Sequence, residues 1–133
     1  MQYSFIIPVY NRPDELDELL KSLAEQTYTA DFEVVVIEDG STISSESICQ
    51  QYQSSLSITY LAKPNTGPGD SRNYGMRRAK YDYFLILDSD CILPPHYLEA
   101  VDDYLQTHYV DCFGGPDTAT DDFTDIQKAD RKS

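Results

Sequence analysis

Four short apolar runs separated by helical patterns constrain the fold of this chain more than any other feature of its sequence. They are residues 4–9 (SFIIPV), 32–37 (FEVVVI), 57–61 (SITYL) and 83–87 (YFLIL). Each has the length of a strand, and the second is apolar enough to be covered on both faces. After the first run, Pro13 opens a helix that sets Leu16, Leu19, Leu20 and Leu23 on one face. A weaker helix at 44–53 carries Ile48 and Tyr52. A Gly/Pro loop at 65–69 leads into a third helix, capped by Asp70 or Ser71 and reaching about Ala79. Pro94 and Pro95 start a fourth, with Leu98, Val101 and Leu105 inward, and a short fifth strand at 110–113 ends at Gly114-Gly115-Pro116. Such alternation requires right-handed crossovers, so the expected architecture is α/β, a mainly parallel sheet in a three-layer α/β/α sandwich.

Sheets of this kind bind ligands beyond the carboxyl ends of their strands, near a switch in strand order. Polar clusters stand at those places: Tyr10-Asn11-Arg12, Glu38-Asp39-Gly40-Ser41 and Asp88-Ser89-Asp90. At 133 residues the chain fits one domain with one core. Twenty-three acidic residues against ten basic ones give a net charge of −13. That surface repels nucleic acid and anionic lipid, so neither is an expected partner. An anionic ligand would need a bound cation or a few local Arg and Lys residues.

Cys49, Cys91 and Cys112 are odd in number, lack CxxC spacing and lie in or beside apolar segments. They are expected to be free thiols in a reducing compartment. No basic n-region precedes the first strand, and apolar runs of five or six residues are far too short to span a membrane. The expected location is the cytoplasm.

Each cluster has a plain reading beside its chemical one. Asp88 and Asp90 are two apart after a buried strand, so on an extended chain both carboxylates point the same way. Two hard oxygen ligands suit Mg²⁺ or Mn²⁺ bridging a diphosphate, and a solvated turn is the equal alternative. A carboxylate of Glu38-Asp39-Gly40-Ser41 can accept an imide N–H such as uracil offers, but Asp-Gly-Ser is also ordinary turn chemistry, and on its own the turn is the better account. Gly67 to Gly75 (GPGDSRNYG) fits neither the dinucleotide fingerprint, since Arg72 holds the third Gly position, nor a phosphate loop ending in GK[ST]. What remains is a helix start with Arg72 on its first turns, suited to an anion or to a carboxylate such as Asp39, or else to a weak surface ion pair. His96 and His108 flank one helix without a second ligand at metal spacing, and Tyr52, Tyr97 and Tyr104 fall at helical packing positions.

Taken together, IIPVYNR, EDGS, NTGPGDSRNYG and DSD come in an order and spacing that resembles the family-2 glycosyltransferases, from about Ser4 to Pro116. The resemblance implies a GT-A fold, with residues 1–116 as a nucleotide-sugar-binding domain. Residues 117–133 would be a polar, mobile start of an acceptor-binding part that is incomplete here. It implies metal-dependent, inverting transfer from a nucleoside diphosphate sugar, UDP-sugar favoured with GDP and dTDP open. Pro8, Val9, Tyr10 and Asp39 would hold the nucleoside, with Arg72 beside the base. Asp88 and Asp90 would hold the ribose-diphosphate and a Mg²⁺ or Mn²⁺, Asp90 being the direct metal ligand. The general base would lie beyond Ser133, so none of Asp117, Asp121 or Asp122 is assigned that role and the chain alone should bind donor without transferring it.

The partner would be a saccharide or lipid-linked acceptor, met in the cytoplasm or at the inner face of the membrane. An exposed sheet edge would favour self-association. Two positions depart from the pattern: many relatives carry Asp where Glu38 stands and an acid where Cys91 stands, which makes Cys91 core or wall. A receiver-like phosphoacceptor domain would need an acidic pair after the first strand and a Lys after the fifth, and neither is present. A nucleotide-binding module without catalysis is the remaining alternative.

Overall fold

The computed structural model describes residues 2–28 and 30–107. Four strands, β1 (Tyr3–Val9), β2 (Phe32–Asp39), β3 (Ile58–Lys63) and β4 (Tyr83–Ile86), alternate with helices α1 (Pro13–Ala24), α2 (Glu46–Gln51), α3 (Pro68–Arg78) and α4 (Tyr97–Thr107). The sheet has the order β3-β2-β1-β4 and every pair is parallel. The chain builds outward from β1 to β3, then crosses back to lay β4 on the other side of β1. That reversal puts the switch in strand order between β1 and β4, and open α/β sheets take their ligands beyond the carboxyl ends of their strands near such a switch.

Alternation along β1 sends Phe5, Ile7 and Val9 into the larger core with Leu16, Leu19 and Leu20 of α1 and Leu98 and Val101 of α4. Ile6 faces the opposite way, into a smaller cluster with Val35, Ile37 and Ile86 that Tyr74 and Met76 of α3 help to cover. The expected three-layer α/β/α arrangement is therefore present. Gly75 allows α3 to sit this close, because a Cβ there would lie 2.5 Å from Ile37 Cδ1 and 3.1 Å from Ile6 Cγ2. At the amino ends of the strands, buried Glu33 accepts Ser4 Oγ–H at 2.6 Å and the Lys80 amide at 2.6 Å, fastening the end of α3 to β1 and β2.

Several boundaries differ from the sequence expectation. β2 runs two residues further, so Glu38 and Asp39 are strand residues rather than turn residues. α2 is only six residues long, and β3 extends to Lys63. Neither Asp70 nor Ser71 caps α3; the helix starts at Pro68 with Gly67 in the cap position and no side-chain cap. Proline at the first helical position is preorganised for the turn, and its missing N–H leaves one donor fewer to satisfy. α4 begins at Tyr97, after the two prolines rather than at them. The fifth strand expected at 110–113, Cys112, His108 and the boundary at 116 lie outside the described residues. No described helix is long and apolar enough to cross a membrane.

Candidate nucleotide-sugar site

The carboxyl ends of β1 and β2 are held in place by a buried carboxylate. Glu38 is 4% exposed and accepts hydrogen bonds from Ser41 Oγ at 2.6 Å, the Ser45 amide at 2.6 Å and the Tyr60 hydroxyl at 2.9 Å. Burial and the Glu38 hydrogen bond push the Tyr60 phenol up to about 12, although its contact with Ser44 acts the other way, so it stays a donor. Ser41 Oγ in turn accepts the Asn11 amide at 2.8 Å. Asn11 has φ 52°, a left-handed conformation that Asn tolerates better than most side chains. Its Oδ1 accepts the amides of Thr42 at 2.8 Å and Ile43 at 3.0 Å. The loops after β1 and β2 are thereby tied into one unit, and Tyr10 is presented at its edge, 51% exposed.

Beside this unit lies a cleft of about 270 Å³, with Pro8, Val9 and Tyr10 on β1 and its loop, Asn65, Gly67 and Pro68 on the loop into α3, and Asp39. Asp39 is the most highly determined group in it. Oδ1 accepts Lys63 Nζ at 2.8 Å and the Thr66 amide at 2.9 Å, and Oδ2 accepts the Gly67 amide at 3.1 Å. Burial alone would raise its pKa, but the Lys63 ammonium and the two amides outweigh it and hold the carboxyl below its ordinary value. Gly40, at φ 71°, makes the close approach of the two loops feasible, since a Cβ there would lie 2.5 Å from the Asn65 backbone nitrogen.

The structure thus brings four of the expected nucleoside-binding residues, Pro8, Val9, Tyr10 and Asp39, to one cleft. One expected pairing is corrected: the cation on Asp39 is Lys63 and not Arg72. Lys63 is the direct cross-strand partner of Asp39, which places the two side chains together on one face, whereas Arg72 stands one turn into α3. Arg72 is half-buried, and its Nε is a buried donor without a hydrogen-bond partner. A buried guanidinium nitrogen left unsatisfied is costly, and it suits an incoming oxygen anion.

Asp88 and Asp90 follow β4, the strand beside β1. They lie not on an extended chain but in a turn closed by the Cys91 amide donating to the Asp88 carbonyl at 3.1 Å. Both residues are exposed, and Ser89 between them reaches Glu15 of α1 at 3.3 Å. Among the described residues no group of three or more His, Cys, Asp or Glu forms a ready-made metal cage. Two exposed carboxylates on one turn fit a hard dication whose remaining positions are filled by ligand oxygens and water. Cys91 is half-buried and packed against the core, in keeping with the core or wall position expected of it. Cys49 is buried and free, its thiol pushed up to about 12 by burial and the nearby Glu38 and Glu46 carboxylates. His96 is an exposed surface residue within 2.9 Å of Thr27 Oγ1.

Sequence reasoning missed Lys63 and Asn65. The available signal was that Lys63 ends the third strand, the position at which functional side chains were sought on the other three.

Comparison with known proteins places this geometry. The family model for glycosyl transferase family 2 matches residues 4–132. Among individual proteins, the chain is 33% identical over 114 residues to the poly(ribitol-phosphate) beta-N-acetylglucosaminyltransferase TarS of Staphylococcus aureus, covering 84% of this chain and 20% of that protein. It is 40% identical over 99 residues to the chondroitin synthase of Escherichia coli, covering 73% of this chain and 14% of the relative. The crystal structure of S. aureus TarS 1–349 in complex with UDP superposes with a TM-score of 0.78 at 30% identity, over 90% of this chain and 38% of that one. The mannosyltransferase PcManGT from Pyrobaculum calidifontis, in complex with GDP-Man and Mn²⁺, does so with a TM-score of 0.74 at 26% identity, over 87% and 36%. The chain spans about a fifth of the length of TarS, and the match confirms the GT-A architecture while removing the receiver-like alternative. By its fold and its motif order alike, this chain belongs to glycosyl transferase family 2.

Proposed function

We propose that the chain is the donor-binding part of a glycosyltransferase that takes a UDP-sugar and transfers the sugar, with inversion, to a hydroxyl of a saccharide or lipid-linked acceptor. The observation that carries this reading is Asp39, held ionised beside a cleft with acceptor capacity left over. A carboxylate held below its ordinary pKa suits the imide N–H of uracil, and Pro8, Val9 and Tyr10 provide an apolar wall for a flat base. TarS has been crystallised with UDP and with UDP-GlcNAc, which supports the same base here.

Arg72 would receive an oxygen of the nucleotide on its unpartnered Nε. Asp88 and Asp90 would hold the ribose-diphosphate and a Mg²⁺ or Mn²⁺, with Asp90 the direct ligand. When bound, such a cation offsets the charge that develops on the leaving diphosphate. The chain's own contribution is to fix the base through Asp39 and to orient the diphosphate through the loop after β4. In-line attack by the acceptor hydroxyl also requires a proton acceptor beside it.

Calorimetry of UDP with the full chain tests this. With Mn²⁺ present, UDP should bind at least about tenfold more tightly than in EDTA, the effect of roughly 1.4 kcal/mol, because a net charge of −13 repels a bare diphosphate. Asp90→Asn should erase most of that difference. Equal affinity in Mn²⁺ and EDTA would rule out the metal role of the turn after β4.

A further inference from the structure

We propose that Lys63 is a specificity-determining residue: by occupying one oxygen of Asp39 it leaves the cleft a single acceptor position, which selects a base with one imide N–H, uracil or thymine, over the paired donors of guanine. The inference rests on the reading that Asp39 meets the base, and it adds a reason for the choice among bases.

A carboxylate has two oxygens with about two acceptor positions each. On Asp39, Oδ1 is filled by Lys63 Nζ at 2.8 Å and the Thr66 amide at 2.9 Å. Oδ2 carries only the Gly67 amide, at 3.1 Å. One acceptor position therefore remains, on the oxygen held by a residue that itself lines the cleft. Uracil and thymine present one N–H flanked by two carbonyls and can use that position. Guanine presents N1–H and the 2-amino group side by side, a pair that matches both oxygens of an open carboxylate. Here its second donor would meet an oxygen already spent. Cytosine and adenine offer a ring nitrogen lone pair at the equivalent edge and would face an ionised oxygen with no proton between them.

Lys63 cannot easily turn away to reopen Oδ1. Its side chain is only 5% exposed, and all three ammonium protons are used, by Asp39 Oδ1, the Pro64 carbonyl at 2.9 Å and Thr66 Oγ1. Thr66 Oγ1 donates its own hydrogen bond to Asp70 Oδ2 at 2.6 Å, which keeps its lone pair turned toward the ammonium. The parallel register pairs Asp39 with Lys63 directly, so the backbone as well as the side chains sets the contact.

The test is calorimetry of the full chain in Mn²⁺ with four nucleotides: UDP, N3-methyl-UDP, GDP and IDP. IDP has the N1–H of guanine without the 2-amino group, so the GDP/IDP comparison isolates the second donor at constant base size. GDP should bind no more than about threefold tighter than IDP, less than one good hydrogen bond provides, or both should escape detection. In Lys63→Met, which is neutral and of similar length, Oδ1 opens and GDP should gain about tenfold on IDP. A larger GDP preference in the native chain, or an unchanged ratio in a folded Lys63→Met, would overturn the proposal. If Lys63→Met does not fold by circular dichroism, the native comparison decides alone. Equal binding of UDP and N3-methyl-UDP would instead remove the contact between Asp39 and the base, and this inference with it.

Discussion

Replacing Glu38 should cost stability as well as binding, and the size of the loss follows from its partners. Glu38 is 4% exposed and accepts three hydrogen bonds. The bond from the Ser45 amide is buried; without the carboxylate that amide loses its partner where water cannot replace it, at about 1–3 kcal/mol. The bonds from Ser41 and Tyr60 are only part-buried, so water can take them over, and each is worth about 0.5–1.5 kcal/mol. Glu38→Ala should therefore destabilise the chain by about 2–6 kcal/mol, equivalent to roughly 1–3 M in urea midpoint for a domain with a slope near 2 kcal/mol/M. Glu38→Gln separates hydrogen bonding from cavity formation. It keeps the volume but turns an N–H toward a donor, and should recover less than half of the loss. Urea titrations at pH 7 followed by circular dichroism measure both variants. A Glu38→Ala midpoint within about 0.25 M of the parent, roughly 0.5 kcal/mol at that slope, would refute the claim that this carboxylate ties the loops after β1 and β2 together.

Asp39 makes the acid limb of stability steeper. Its folded pKa lies below the ordinary value of 3.8, so its contribution is complete above that value and is lost as pH falls through the lower folded pKa. Asp39→Asn should thus be less stable than the parent at pH 7, with the gap closing toward pH 3, and parallel urea midpoints across that range would contradict this. The same variant should lose about 1–3 kcal/mol of UDP binding at pH 7, measured by calorimetry. Gly40→Ala should cost about 1–3 kcal/mol of stability, since φ is 71° and the new methyl would strike the Asn65 backbone rather than a yielding side chain; an unchanged urea midpoint would show that the two loops can separate freely.

Much of this fold was legible because its periods are unambiguous. The leucines of α1 at 16, 19, 20 and 23 are all buried, and the apolar runs of β1 and β2 became central strands of the sheet. Boundaries were legible only where local chemistry decides them. Asp70 and Ser71 looked like caps because their side chains favour that role, yet proline at 68 had already begun the helix. Glu38 and Asp39 looked like turn residues because Asp-Gly-Ser is good turn chemistry. Their inclusion in β2 depends on pairing with β3 through Lys63, a contact 24 residues away that no local window contains.

The same distinction explains what could be read of the site. Position along the chain nominates candidates at the carboxyl ends of parallel strands, and Lys63 was missed because the end of the third strand was not searched. Position is not enough to assign partners among them. Arg72 and Lys63 are both cations near Asp39 in sequence order, and Arg72 is the stronger prior for a carboxylate because its planar fork can bind both oxygens. Register decides against it: the parallel pairing sets Lys63 directly beside Asp39, so the ion pair forms within the sheet and Arg72 is left with an unpartnered Nε. Had Arg72 taken Asp39 in bidentate fashion, it would fill one position on each oxygen and, with the Thr66 and Gly67 amides on the other two, leave the site no acceptor for a base. A lysine, which fills one oxygen through a single point of contact, is what allows the carboxylate to be held ionised and still be available to a ligand.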